Sequence, residues 1–166
     1  MPANNSLVVE DDRFLRVVGI VLDPTTPAER TAAYADFFAH DEPDFDGYCQ
    51  RVRKRVGRLF PRDVRLVETQ EEMRAALPGS PALVVESLGV GAEELSAGSE
   101  LRIVQKYGGW PRNIDTAACA AKGVKVSTLT TEGRQQFVDL SKRAWSLLMP
   151  ADDLAIFVAA ADRARQ

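Results

Sequence analysis

The 166-residue sequence is poor in the residues that build the commonest metal and nucleophilic sites. It contains one histidine, His40, and two cysteines, Cys49 and Cys119. So few ligands argue against a multi-histidine or multi-cysteine metal site, and a Ser-His-Asp triad would have to use His40. Two distant cysteines provide no disulfide framework, which indicates a reducing compartment. We therefore predict a cytoplasmic protein with no resident metal.

Long apolar runs and an excess of positive charge are also missing. No apolar run approaches the ~20 residues that a bilayer-spanning helix needs. The first residues, MPANNSLVVEDD, lack a basic stretch followed by an apolar one, so we expect no secretory signal peptide. The 21 Lys+Arg against 24 Asp+Glu give a net charge of −3, which argues against a nucleic-acid-binding protein. We expect neither a membrane nor a nucleic acid as a partner.

Apolar segments that read as buried strands alternate with helical segments along most of the chain. The run Phe14–Leu22 is nearly continuous and β-branched, and it predicts a first strand that is buried on both faces. This alternation with short connections predicts an α/β fold with a doubly wound, parallel, five-stranded sheet. The four other predicted strands are Val64–Glu68, Ala82–Ser87, Leu101–Tyr107 and Val124–Leu129.

The two ends of the chain depart from this alternation. Residues 1–12 are polar and are expected to be disordered, which places the α/β domain at 13–130. Residues 131–166 predict two further helices, a C-terminal extension beyond what one sheet face needs. The last of them, ADDLAIFVAAADRA, is apolar on too many sides for a solvated helix. We therefore predict a homodimer that forms through the C-terminal helices.

The stretch Leu101–Leu129, LRIVQKYGGWPRNIDTAACAAKGVKVSTL, resembles part of a known family. It is similar to the end of the substrate-side (lid) domain of the NAD-dependent D-2-hydroxyacid dehydrogenases. The resemblance extends over roughly residues 14–149, and it implies a flavodoxin-like sheet. It also implies that the family's catalytic Arg, Glu and His and its glycine-rich NAD loop belong to a second domain downstream. The matching residues are Gly108, Asn113-Ile114-Asp115, Ala117-Ala118 and Gly123-Val124.

No complete cofactor motif occurs within the chain. Gly89-Val90-Gly91 follows a predicted strand, but Glu94 stands where a dinucleotide-binding loop has its third glycine. We predict a tight turn there and no bound cofactor. The stretch Gln135–Met149 lacks the Ala-Glu-His-like step that the resembled family carries in its linker helix. This loss favours a complete stand-alone homologue of the lid domain over a truncated dehydrogenase.

The loop Tyr107–Arg112 is the main candidate site, because ligands of parallel sheets lie beyond the carboxyl ends of the strands. In the resembled family the equivalent loop offers backbone N–H groups to a substrate carboxylate. Gly108 matches the family's first glycine, whereas Trp110 and Arg112 replace its second glycine and an acidic residue. A phenol, an indole and a guanidinium around two glycines suit a flat anionic molecule, a carboxylate or an enol. The alternative is a turn with a core tryptophan and a solvated arginine. The predicted binding residues are Tyr107, Gly108, Gly109, Trp110 and Arg112.

Two classes of function follow, and a third stays open. In the first, the chain is a cofactor-independent biosynthetic enzyme of proton-transfer or cyclisation type, in which Arg112 holds the anion and Tyr107 or Glu86 moves a proton. In the second it is a non-catalytic binding or regulatory module. The third is an excised substrate-binding domain of an NAD-dependent dehydrogenase.

Three further features have competing interpretations. Asn113 precedes a helix and is expected to be its N-cap. The basic run from Arg51 to Arg58 is either a solvated helix face or a docking surface for an acidic carrier protein. Asp11 and Asp12 precede the predicted first strand, which argues against a response-regulator receiver site. The basic residues of the run are Arg51, Arg53, Lys54, Arg55 and Arg58.

Overall fold

The computed structural model describes residues 6–128, 130–133 and 135. The chain divides into two compact units, Met1–Thr128 and Leu129–Gln166. Residues 131–133 and 135 are helical. The remainder of the two predicted C-terminal helices, and with it the predicted dimer contact, lies outside the described residues. No helix in the described part is both long and apolar enough to cross a membrane.

The first unit is built on five parallel strands whose order in the sheet is β2-β1-β3-β4-β5. This is the flavodoxin-like order, and the predicted α/β fold with a parallel five-stranded sheet is confirmed. The strands are β1 (Ser6–Glu10), β2 (Asp63–Val67), β3 (Ala82–Val85), β4 (Ile103–Lys106) and β5 (Lys125–Ser127). The helices are α1 (Arg16–Leu22), α2 (Ala28–Phe38), α3 (Phe45–Val56), α4 (Gln70–Ala76), α5 (Ala92–Ala97) and α6 (Thr116–Ala121), with a 3-10 turn at Gly57–Leu59.

The position of the first strand differs from the prediction. Ser6–Glu10 forms β1, between two neighbouring strands, so the predicted disorder of residues 1–12 is wrong for this segment. The run predicted as a strand, Phe14–Leu22, supplies helix α1. A short apolar run is compatible with either a buried strand or a buried helix, and periodicity does not separate them. Asp11 and Asp12 consequently follow the first strand, and the argument that they precede it is wrong.

One face of the sheet packs on α4, α5 and α6. Val8, Leu83 and Val104 are consecutive cross-strand partners on this face, and all three are fully buried. Helices α1 and α3 form a second, smaller cluster in the long connection from β1 to β2. The helical residues of the larger cluster include Met73, Leu77, Leu95 and Cys119, and the smaller one contains Ile20, Val21, Phe45 and Cys49.

Candidate functional site

The carboxyl ends of β1, β3 and β4 meet at one edge of the sheet. Strand β1 lies between β2 and β3, so the chain crosses from one side of β1 to the other between β2 and β3. In sheets of this kind a crevice opens beyond the strand ends at such a crossing point. The edge here is formed by Glu10 at the end of β1, Glu86 just after β3, and Lys106 at the end of β4.

Glu10 is a buried carboxylate that holds the loop after β3. Its oxygens accept hydrogen bonds from the backbone N–H groups of Glu86 (2.7 Å), Ser87 (2.9 Å) and Leu88 (3.0 Å), and from the Ser87 hydroxyl. Burial raises the pKa of the Glu10 carboxyl, but the hydrogen bonds together outweigh burial and hold the pKa below its ordinary value. Glu10 is therefore ionised and fixes the position of the Glu86–Leu88 loop.

Lys106 and Asn113 hold the same loop from the other side. The Lys106 side chain is 8% exposed; its Nζ donates to the Glu86 carbonyl oxygen and lies 3.8 Å from Glu86 Oε1. Asn113 Nδ2 donates to the carbonyl oxygens of Leu88 (2.6 Å) and Glu86 (3.3 Å). The edge of the sheet is thus rigid, with an ammonium group and a carboxylate beside the candidate loop.

The predicted N-cap role of Asn113 is wrong. Asp115 is the N-cap of α6, and its carboxylate accepts from the Ala118 N–H at 2.9 Å. The cap lies two residues later because Val90 and Ile114 form a parallel bridge. Its hydrogen bonds, Val90 N to Asn113 O and Asp115 N to Val90 O, are both 2.8 Å and keep Asn113 outside the helix.

Tyr107, the first residue of the candidate loop, contacts a residue that the sequence did not point to. Its N–H donates to the Val85 carbonyl at 2.8 Å, which fixes the start of the loop. Its ring stacks on Phe14, with the ring centroids 6.5 Å apart and the planes at 24°. Both rings are almost half exposed, at 47% and 44%. The loops after β1 and β4 therefore meet at the edge of the sheet through two aromatic rings.

Trp110 and Arg112 form a second pair in the same loop. Trp110 is 63% exposed, so the alternative of a core tryptophan is wrong. The Arg112 guanidinium carbon lies 5.9 Å from the indole centroid, within cation–π range. Arg112 also lines a cavity of about 390 Å³ between the loops that follow β3 and β4, together with Gln70, Gly89–Gly91, Glu94 and Asn113–Asp115.

The candidate residues divide into two groups. Tyr107, Trp110 and Arg112 share one loop, in which Tyr107 and Trp110 supply exposed aromatic rings and Arg112 a guanidinium beside the Trp110 ring. Glu86 contacts Lys106, and within the described residues it forms no hydrogen bond to Tyr107 or Arg112. Among those same residues no group of histidine, cysteine, aspartate and glutamate side chains is arranged to hold a metal ion.

Sequence reasoning missed Phe14, Glu10 and Lys106. Phe14 and Glu10 were missed because the first strand was predicted at Phe14–Leu22 and not at Ser6–Glu10. Lys106 ends strand β4, which reads IVQK and whose side chains alternate between half-buried and buried. A lysine at a buried position of this alternation is unusual and could have marked Lys106 as a candidate site residue.

Gly108 allows a test of the loop's backbone. Its φ is +103°, a conformation that side chains rarely adopt, and a Cβ there would have no atom within 4 Å. We expect Gly108→Ala to lower the free energy of unfolding by about 1–2 kcal/mol through backbone strain alone, measured by urea denaturation. Gly89→Ala is the matched control, because its added Cβ meets only ordinary contacts at 3.8 Å and its φ is not positive. Equal losses in both variants would contradict the strain argument.

Comparison with solved structures gives a partial similarity to a dehydrogenase. The chain is similar to 3-phosphoglycerate dehydrogenase of Entamoeba histolytica, crystallised with bound NAD+, at 18% identity and a TM-score of 0.44. The match covers 76% of this chain and 33% of the dehydrogenase, so this chain spans about a third of that protein's length. No protein-family model and no curated protein matches the chain.

Proposed function

We propose that the chain is a binding domain for a small, planar, anionic organic molecule, a carboxylate or an enol, at the Tyr107–Arg112 loop. The observation that carries the proposal is the exposed aromatic surface at the carboxyl edge of the sheet. Phe14, Tyr107 and Trp110 are each at least 44% exposed there. Large aromatic side chains grouped on a surface are typical of binding sites, and their faces suit a flat ligand.

The backbone of the loop supports an anionic ligand. Within the described residues, the N–H groups of Gly108 and Gly109 donate no hydrogen bond. Successive free N–H groups in a loop are a common way to hold a carboxylate. Arg112 supplies a full positive charge in the same loop, and Lys106 offsets the nearby carboxylate of Glu86.

The contacts of Glu86 at the edge of the sheet favour ligand binding over catalysis. Glu86 is half exposed, and its carboxylate is the ion-pair partner of Lys106. Glu86 is therefore already engaged by Lys106 and would have to leave this ion pair to act on a ligand. Proton transfer by Tyr107 or Glu86 in a cofactor-independent enzyme stays a prediction, as does the place of this chain as a dehydrogenase substrate domain.

Titration with planar carboxylates tests the proposal. The probes are benzoate, cinnamate and phenylpyruvate, and phenylethanol is the uncharged counterpart. Binding of each probe is measured by isothermal titration calorimetry. We expect Trp110→Ala to raise the Kd of the carboxylates about five- to thirtyfold, since loss of a stacking or cation–π partner costs about 1–2 kcal/mol. Arg112→Gln should weaken the binding of the carboxylates and leave the binding of phenylethanol unchanged.

Phe37→Ala is the control, because Phe37 is 58% exposed on α2, outside the carboxyl-edge loops. The proposal fails if none of the three carboxylates binds. It also fails if Phe37→Ala weakens binding as much as Trp110→Ala does.

A further inference from the structure

The five basic residues between Arg51 and Arg58 differ in what they contact. Arg51 forms ion pairs with Glu42 (3.1 Å) and Asp44 (3.3 Å). Arg53 donates to the carbonyl oxygens of Ile20 (3.0 Å) and Val21 (2.9 Å), near the carboxyl end of α1. Its guanidinium also lies 5.0 Å from the ring centroid of Phe60. Arg51 and Arg53 therefore have partners inside the domain.

The remaining three residues, Lys54, Arg55 and Arg58, form what we call the basic cluster. Their side chains are exposed, and none makes an ion pair or hydrogen bond within the described part of the chain. Arg16 and Arg74, by contrast, are both paired with carboxylates. In a chain of net charge −3, three uncompensated cations within five positions create a local positive field.

An exposed apolar side chain lies directly beside the basic cluster. Leu59 is 53% exposed and ends the 3-10 turn that begins at Gly57. A Cβ placed on Gly57 would find no atom within 4 Å, so the surface here is open. A single exposed leucine is ordinary, but an exposed leucine next in the chain to three exposed cations has the composition of a small interface.

We propose that this end of α3 docks an acidic protein. The partner would present carboxylates to Lys54, Arg55 and Arg58 around an apolar side chain that packs on Leu59. Nucleic acid is disfavoured, because three cations on an acidic chain neutralise few phosphates and Leu59 has no role against a phosphate backbone. This surface shares no residue with the carboxyl-edge loops, so the inference is independent of the proposed ligand site.

A labelled peptide series tests the proposal by fluorescence anisotropy on the full chain. The probe is a synthetic acidic helix with leucines along one side. Two counterparts replace its glutamates by glutamine or its leucines by serine. We expect only the first peptide to bind well, and its affinity to fall as salt is raised. The triple variant Lys54→Glu, Arg55→Glu, Arg58→Glu should weaken it at least tenfold, and Leu59→Ser about three- to tenfold.

The matched control makes the same charge change at three exposed cations outside the basic cluster, Arg30→Glu, Arg102→Glu and Lys125→Glu. Because it carries the same change in net charge as the triple variant, it should leave the Kd of the acidic peptide within about twofold of the wild-type value. An equal loss in this control would overturn the proposal, because net charge alone would then explain binding. An unchanged affinity in Leu59→Ser, or tighter binding of a short RNA than of the acidic peptide, would overturn it as well.

Discussion

Replacing Glu10 with alanine is expected to lower the free energy of unfolding by about 3 kcal/mol. The substitution removes the acceptor of three backbone N–H groups and of the Ser87 hydroxyl. A buried donor that loses its partner costs about 1–3 kcal/mol, and water replaces part of the loss because the loop itself is half exposed. Urea denaturation measures the change as a shift in midpoint at constant slope.

The control for Glu10 is another glutamate that is exposed. Glu100→Ala should change the free energy of unfolding by less than about 0.5 kcal/mol, since Glu100 is exposed and has no ion pair within the described residues. If Glu10→Ala falls within the same limit, the carboxylate does not hold the Glu86–Leu88 loop.

The pH dependence of stability gives a second measurement on the same group. The pKa of Glu10 is lower in the folded protein than in the unfolded chain, where it is about 4.3. The ionised carboxylate therefore contributes fully to the free energy of unfolding above the unfolded pKa, and this contribution is lost as the pH falls through the native pKa. The difference in stability between wild type and Glu10→Gln should therefore shrink as the pH is lowered below about 4. A difference that grows on acidification would contradict the ionised state of Glu10.

The fold was predictable from the sequence except at its first strand. The bounds of strands β2 to β5 match their predicted segments to within one or two residues, because each segment places β-branched residues between turn residues. Strand β1 was missed because the longer run Phe14–Leu22 has the same composition as a buried strand. A signal was present, since Ser6–Glu10 reads SLVVE and Ala82–Glu86 reads ALVVE.

The same pair of segments shows why the site was only partly predictable. In the sheet, Leu7 pairs with Ala82 and Val9 with Val84, so the two similar segments are offset by one residue. A shift of one residue turns each side chain to the opposite face. Glu10 is therefore buried beneath the loop after β3, whereas Glu86 lies past the end of its strand and is half exposed. Register is a property of the assembled sheet and cannot be obtained from either segment alone.

The location of the candidate loop was predictable, and its partners were not. Tyr107–Arg112 follows β4 as the strand pattern indicated. Phe14 reaches Tyr107 only because β1 and β4 flank β3 in the sheet, so that residues 93 positions apart stack. Lys106 becomes an edge residue through the pairing of Val85 with Lys106. Local composition carries no information on either contact.

Replacing Glu94 with alanine is the second substitution with a large expected effect, again about 3 kcal/mol. Glu94 is 5% exposed, and its carboxylate accepts from Gly91 N, Gln70 Nε2 and Arg74 Nη1, each at 2.9 Å. Burial raises the pKa of Glu94, but the hydrogen bonds from Gly91 and the Arg74 charge hold it below its ordinary value. Alanine would leave these donors of α4 and α5 without their common acceptor.

Glu93 is the matched control, because it pairs with the same arginine. Its carboxylate lies 3.2 Å from Arg74 Nη1, but its side chain is 79% exposed, against 6% for Glu94. An exposed ion pair contributes about 0–1 kcal/mol, so Glu93→Ala should leave the urea midpoint almost unchanged. Comparable losses in the two variants would show that Arg74 pairing, and not burial of Glu94, stabilises the contact between α4 and α5. A large loss in Glu94→Ala alone would show that the glutamate at the third-glycine position of the Gly89–Gly91 loop is a structural acceptor.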